Sequence, residues 1–227
     1  MKSSPGGRSW IAAGVRHELL TRALPALRHD MSAPVSVMRM GLLMLKRQVA
    51  APIIDVEACQ ERVALIDSQI AELVAAVRSL RDWELATGDD GISRAALVRQ
   101  CTSLMRAAFD LQNIRLEVDE TLIAEDGEDA DERWPSGASL RYLLLGAMGF
   151  LQDSAPDVAT IQITPDGNQG IQLTAIAGAT DDADAMAEHR APRKLAIDVI
   201  ALQSLADDLG YTLSADRNSV RFGLAAG

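Results

Sequence analysis

The residues that most often build metal and redox sites are scarce: 227 positions hold only two cysteines and three histidines. Cys59 and Cys101 stand far apart, with no CxxC pair and no histidine at ligand spacing. That excludes a zinc ribbon or a disulfide framework and predicts two reduced, half-buried thiols. Aromatic residues make up 4% of the chain. No apolar run approaches the roughly 18 residues that a membrane span requires. The first eight residues, Met1 to Arg8, are rich in serine and glycine and lack the apolar core of a signal peptide, so a cytoplasmic location is expected. What is present is ordinary for a globular protein, 48% hydrophobic and 24% charged residues. The length suffices for one large or two small domains, each able to bury a core.

Charge is distributed unevenly. The net charge is −10, yet residues 1–50 carry eight Lys or Arg (Lys2, Arg8, Arg16, Arg22, Arg28, Arg39, Lys46, Arg47) against two acids, Glu18 and Asp30. The remaining chain carries 14 basic and 30 acidic residues. A basic segment on an acidic body calls for an acidic partner of that segment. Nucleic acid does not fit, because the acidic body would repel phosphates and no DNA-binding motif is present.

Periodicity divides the chain in two. Leu19, Leu20, Leu24, Leu27, Met31, Val35, Met38, Leu42 and Leu45 recur at three- and four-residue steps, which predicts one helix over 9–48, with a bend expected at Pro25 and at Pro34. After a short connection containing Pro52, Asp55 can cap a second helix reaching about Leu85. Its stripe, Val63, Ile66, Ile70, Leu73, Val77 and Leu80, is close to heptad spacing. Two long helices on a short loop form an antiparallel hairpin over 9–87. A lone hairpin cannot cover its own stripe, and pairing of two copies into a four-helix bundle is the economical remedy.

Thr87-Gly-Asp-Asp-Gly91 reads as a linker, and the period changes beyond it. Residues 92–227 read in turn as a helix (Ser93–Leu111), a strand (Ile114–Val118), an acidic loop (Asp119–Arg133) and an apolar helix (Leu140–Leu151). A hairpin follows around Pro165-Asp-Gly-Asn, then a second acidic loop (Gly178–Arg190), a helix (Lys194–Leu209) stopped by Gly210, and a final hairpin. This order predicts an α/β sandwich with helices on one face of a mixed sheet. The fold class expected for the whole chain is α+β.

Chemistry concentrates in Arg28-His29-Asp30-Met31-Ser32-Ala33-Pro34, the pattern His-acid-x-x-x-Pro. A neutral imidazole is a competent nitrogen nucleophile toward phosphorus, an adjacent carboxylate can orient it or take its proton, and the proline alters the helix just past it. The segment resembles the H-box of the dimerisation and phosphotransfer domain of histidine kinases. The resemblance extends to Leu80-Arg-Asp-Trp-Glu-Leu85, placed like that family's Leu-x-Asp signature, and to the later element order, which looks like its ATP-binding domain. In all it covers about residues 15–225. His17-Glu18-Leu19-Leu20-Thr21-Arg22 imitates the motif but has Arg22 where the proline belongs, and counting back from the end of the second helix selects His29. His189, in an acidic loop, reads as an ordinary surface residue.

The resemblance also implies what is missing. The family's asparagine-bearing helix corresponds to Leu140–Phe150, where Gly146 and Phe150 stand at the asparagine positions. Its adenine-reading acid should follow Ile171–Ile176, where the chain reads Ala177-Gly-Ala-Thr180. Its glycine-rich phosphate loop is replaced by Ala191-Pro-Arg-Lys194. The chain is therefore similar to degenerate kinases that act as phosphorelay phosphotransferases, the ChpT type and the sporulation type, with no cofactor of its own. The resemblance implies His29 as phosphoacceptor assisted by Asp30 and Arg28. Receiver domains of response regulators are the expected partners, supplying their own Mg²⁺, along with a hybrid histidine kinase as a further partner. Ser32, Val37, Met38, Arg39 and Leu42 are the candidate docking residues, although the apolar ones serve equally as bundle core. Ala33 replaces the Thr or Asn used for receiver phosphatase action, so little such activity is expected. A second reading of the same residues is a non-catalytic adaptor that regulates a receiver or kinase by occupancy.

Overall fold

The computed structural model describes residues 5–81, 91–123, 133–155, 157–178 and 195–224. The architecture is α+β, a helical hairpin and an α/β sandwich. Helix α1 spans Pro5–Val49 and helix α2 spans Val56–Arg81. Asp55 caps α2, its Oδ1 accepting from the Ala58 amide at 3.0 Å. α1 stays helical through both prolines, although each leaves the carbonyl four residues back without its amide donor.

The two helices differ in length, 45 residues against 26. At about 1.5 Å per residue α2 can accompany little more than half of α1. The chain accordingly divides inside α1: Leu24–Leu85 form one compact unit, and residues 1–23 belong with 86–227 in the other. The compact units part within α1, while a hairpin over 9–87 and a sandwich over 92–227 remain the division that the sequence suggests. The cause is that Ala12, Val15, Leu19 and Ala23 are buried within the sandwich unit. In the hairpin unit the helices meet where Gly41 faces Ile66, whose Cγ1 lies 3.1 Å from where a β-carbon at Gly41 would stand.

In the sandwich unit, β1 (Ile92–Ser93) pairs antiparallel with β3 (Arg133–Trp134). A five-stranded mixed sheet follows the order β2 (Arg115–Val118), β4 (Val158–Pro165), β5 (Gly170–Ala177), β7 (Ser219–Leu224), β6 (Tyr211–Asp216). Only β2–β4 is parallel. Alternation sets the faces: Ile161, Ile163, Ile171, Leu173, Val220 and Phe222 are buried, while Gln162 and Arg221 face out. The buried face packs under α3 (Arg94–Asp110), α4 (Gly137–Ser154) and α5 (Val199–Leu209). The expected hairpins are present, the first turning at Gly167 with φ +63°. Helix α5 begins later than its amphipathic pattern suggests, because the Asp198 carboxylate accepts from the Ala201 amide and fixes the start there. The acidic stretch after β2 is not simply open loop: a 3₁₀ turn at Glu120–Leu122 buries Leu122, and Trp134 is buried beside the Tyr211 ring, 6.2 Å away. The Leu-x-Asp signature from Asp82 on, the Gly178–Arg190 loop beyond Gly178, and Ala191–Lys194 lie outside the described residues.

The two thiols separate sharply. Cys101 is fully buried in α3, its Sγ donating to the Arg141 carbonyl at 3.6 Å, and burial pushes the thiol far up from its ordinary value. Cys59 on α2 is half-buried. Since the thiolate is the reactive form, a thiol reagent at neutral pH is expected to label Cys59 in the native protein and Cys101 only after unfolding, as peptide mass mapping would show.

Candidate functional site

His29 lies on α1 in the hairpin unit, one turn before Pro34. Its ring is open to solvent, with 76% of the side chain exposed, and the neighbouring Asp30 side chain is 56% exposed. Asp30 Oδ1 stands 3.5 Å from His29 Nδ1. The contact is long for a hydrogen bond, yet it sets a carboxylate beside one ring nitrogen and leaves the other, Nε2, facing away from it. Arg28 is exposed beside them. The helix surface on either side is tied down by hydroxyls: Ser32 Oγ donates to the Arg28 carbonyl at 2.6 Å, and Ser36 Oγ donates to the Ser32 carbonyl at 3.0 Å. Both hydroxyls are thereby turned toward the backbone. Pro34 is buried, so the kink-prone position packs inward while the histidine remains outside.

Helical phase sorts the candidate docking residues. At about 100° per residue, Ser32, Val37 and Arg39 fall within about 80° of His29, whereas Met38 and Leu42 lie on the far side. Met38 is half-buried and Leu42 exposed. The same phase brings Ser36, Met40, Leu43, Met44 and Arg47 within about 60° of His29. Met40, Leu43 and Met44 are all exposed large apolar residues. Residue type alone does not single them out, although counting eleven, fourteen and fifteen residues on from the histidine leads to this ridge. A basic residue, Arg47, ends it.

A second exposed apolar set runs along a different line. On α1 it comprises Leu24, Val35, Leu42 and Val49, and on α2 it comprises Val56, Val63, Ile70 and Val77, largely at seven-residue intervals. An open groove of about 530 Å³ beside it is lined by Leu24, Leu27, Met31 and Val35, with Arg28, Ser32 and Ser36 at its polar edge.

The competing motif occupies a different setting. His17 is exposed within the sandwich unit, its carbonyl accepting from Thr21 Oγ1 at 2.9 Å. The adjacent Glu18 is held by Arg22 at 2.9 Å, whereas Asp30 stands toward the His29 ring. His189 lies outside the described residues.

Helix α4 carries no side-chain oxygen or nitrogen at the two positions where the resemblance implies magnesium and nucleotide. Gly146 is buried, with Leu205 Cδ1 2.9 Å and Leu202 Cδ1 3.2 Å from the point a β-carbon would take, and Phe150 is buried as well. Neither position supplies an oxygen or a nitrogen side chain for a hard cation or a phosphate, so these residues do not fit a magnesium–nucleotide. Among the described residues no cluster of three His, Cys, Asp or Glu could hold a metal ion, and no helix is long and apolar enough to cross a membrane.

No protein-family model matches the chain, and no curated protein sequence matches it. Solved structures do. The histidine kinase AdeS of Acinetobacter baumannii aligns over 87% of this chain and 97% of its own, at 13% identity and a TM-score of 0.36. A histidine kinase from Burkholderia phymatum aligns over 88% of this chain and 99% of its own, at 18% identity and a TM-score of 0.36. The histidine kinase ThkA, solved in complex with the response regulator protein TrrA, aligns over 97% of this chain and 66% of its own, at 12% identity and a TM-score of 0.35. With identities this low, the likeness concerns the fold alone.

Proposed function

We propose that this chain is a histidine phosphotransferase of a two-component phosphorelay, passing phosphoryl groups between receiver-domain aspartates through His29 and taking none from ATP. The observation that carries this reading is an open imidazole with a carboxylate on its Nδ1 side and a clear approach to Nε2. With Nδ1–H directed at Asp30, the lone pair sits on Nε2. Nε2 attacks the phosphorus of the partner's aspartyl phosphate in line. The N–P bond forms as the P–O bond to the aspartate breaks, the carboxylate leaves, and Asp30 stabilises the charge left on the ring. Transfer to a second receiver reverses the sequence. Positioning and neutralisation of charge supply most of the acceleration in such transfers, and the receiver brings the Mg²⁺. Arg28, Arg39 and Arg47 favour an acidic pocket approaching along α1, and the ridge of Met40, Leu43 and Met44 gives it an apolar footing. Two copies joined through the seam of Val35, Leu42, Val63, Ile70 and Val77 form the working unit, a four-helix bundle.

The test is incubation with a panel of phosphorylated receiver domains, followed by detection of acid-labile, base-stable phosphate on the chain. Label that vanishes in His29→Ala is expected. No label from any receiver, with receiver binding retained, would reassign the chain as a non-catalytic adaptor. ATP and its non-hydrolysable analogues are expected to leave the melting temperature unchanged; saturable stabilisation would contradict the donor-set argument at Gly146 and Phe150. Ala33 offers no polar side chain to orient water, so the chain is expected not to speed receiver dephosphorylation beyond the loss accounted for by transfer.

A further inference from the structure

The first turns of α1 are bound into the sandwich unit in an unusual way. Leu19 fits against two glycines of α4: its Cδ2 lies 3.5 Å from the β-carbon position of Gly149 and its Cδ1 lies 3.8 Å from that of Gly146. Leu202, Leu205 and Ile197 complete the walls of this groove. Beside it Arg22, only 7% exposed, forms a clasp. Its Nη2 donates to Asp153 Oδ2 at 2.8 Å and to the Leu195 carbonyl at 2.7 Å, and its Nε donates to Glu18 at 2.9 Å. Asp153 also accepts from the Ile197 amide at 2.8 Å, so one carboxylate ties α1, α4 and the approach to α5 together. A second pair, Arg16 to Asp208 at 2.6 Å, joins α1 to α5.

The attachment is thin for its length. Its apolar anchor consists of Ala12, Val15, Leu19 and Ala23, two of them alanines, whereas α4 buries thirteen residues. Ala13, Gly14, His17 and Thr21 face water, as does Trp10 just before them at 80% exposure. Two buried donors, Arg22 Nη1 and Arg16 Nε, find no hydrogen-bond partner among the described residues. Each pays the desolvation cost of a buried polar group while docked and recovers hydration on release. Few buried contacts together with unsatisfied buried donors describe a segment at the low-stability end of a structure, able to open before its surroundings.

We propose that Ala12–Ala23 is a releasable strap seated in a helix-receiving groove of the sandwich, the groove formed by α4, α5 and the Leu195–Asp198 approach. The groove takes a helix that presents Leu to the Gly146/Gly149 notch and Arg, three residues on, to Asp153. The strap is its resident occupant, and the same segment of a second copy is the helix that can replace it. The inference stands whether or not His29 carries phosphate.

Hydrogen exchange on the full chain tests it. In the wild type, amides of residues 12–23 are expected to exchange at least tenfold faster than those of residues 140–151 in α4. Arg22→Met is expected to accelerate 12–23 a further tenfold or more and to leave β5 and α4 protected. Asp208→Asn, at the more exposed ion pair, gives a smaller acceleration confined to the same segment and guards against collapse of the buried clasp. A labelled synthetic peptide of residues 8–25 is expected to bind Arg22→Met saturably and the wild type at least tenfold more weakly. Exchange of 12–23 in step with α4 in every variant would overturn the strap, and a peptide that binds none of them would overturn the receiving groove.

Discussion

Replacing His29 with alanine is expected to reduce phosphoryl transfer from a phosphorylated receiver by at least about a thousandfold, because the covalent intermediate has no other atom on which to form. The same substitution should leave folding nearly untouched. The side chain is 76% exposed and its polar approach is to Asp30 at 3.5 Å, so the change in stability is expected within about 0.5 kcal/mol. That separation, with transfer abolished and unfolding midpoint unchanged, distinguishes a nucleophile from a structural histidine. Asp30→Asn keeps the shape and removes the charge facing Nδ1. It is expected to slow transfer by about a hundredfold, the lower range for a group that orients or accepts a proton in the transition state. His17→Ala should change nothing in the same assay, since Glu18 is held by Arg22 and no carboxylate attends that ring. Rapid-quench transfer kinetics with one purified receiver would measure all three. A His17 variant that lost label while His29→Ala kept it would invert the assignment.

The hairpin and the sandwich were legible because each rests on a period that burial enforces. Heptad-like spacing marked α1 and α2, and alternation in Ile161–Ile163, Ile171–Leu173 and Val220–Phe222 marked the strands whose inner residues are buried. Turn chemistry placed both hairpins. The pairing of β1 with β3 was not legible, because strands of two residues are too short to show any period. Nor was the allegiance of residues 12–23. A helical stripe records that one face is buried and carries no mark of which element buries it, so Leu19 and Leu27 read as one continuous seam although they belong to different units. The same limit applies at the candidate site. Residue types and spacing point to His29 and Asp30 as candidates, while the faces of the candidate docking residues follow from helical phase. Met38 and Leu42 are apolar and near in sequence, yet they turn away from the histidine, and Met40, Leu43 and Met44 share its side.

The exposed stripe of the hairpin leads to the second large effect. Val63, Ile70 and Val77 follow one another at seven-residue steps along α2, and Val35, Leu42 and Val49 do so along α1, all exposed. Six branched apolar side chains at seven-residue spacing, three on each helix, would supply half of a bundle core in the proposed dimer, where a two-fold axis buries both halves against each other. Ile70→Glu then introduces two carboxylates into that core, one per copy. Burying an unpaired charge costs several kcal/mol, so the dimer dissociation constant is expected to rise by at least about a thousandfold, roughly 4 kcal/mol. Sedimentation should show a monomer at concentrations where the wild type is dimeric, and the dependence of melting temperature on protein concentration should disappear. Ser68→Glu, on the same helix but turned about 160° from Ile70, adds the same charge outside the seam and should leave the dimer intact. The sheet provides the internal control: hydrogen exchange in β5, which belongs to the other unit, should not change in either variant. A wild-type chain that sediments as a monomer at all concentrations would remove the seam from the proposal. His29 chemistry would then have to be accounted for on a single hairpin, with the apolar stripe left for the receiver to cover.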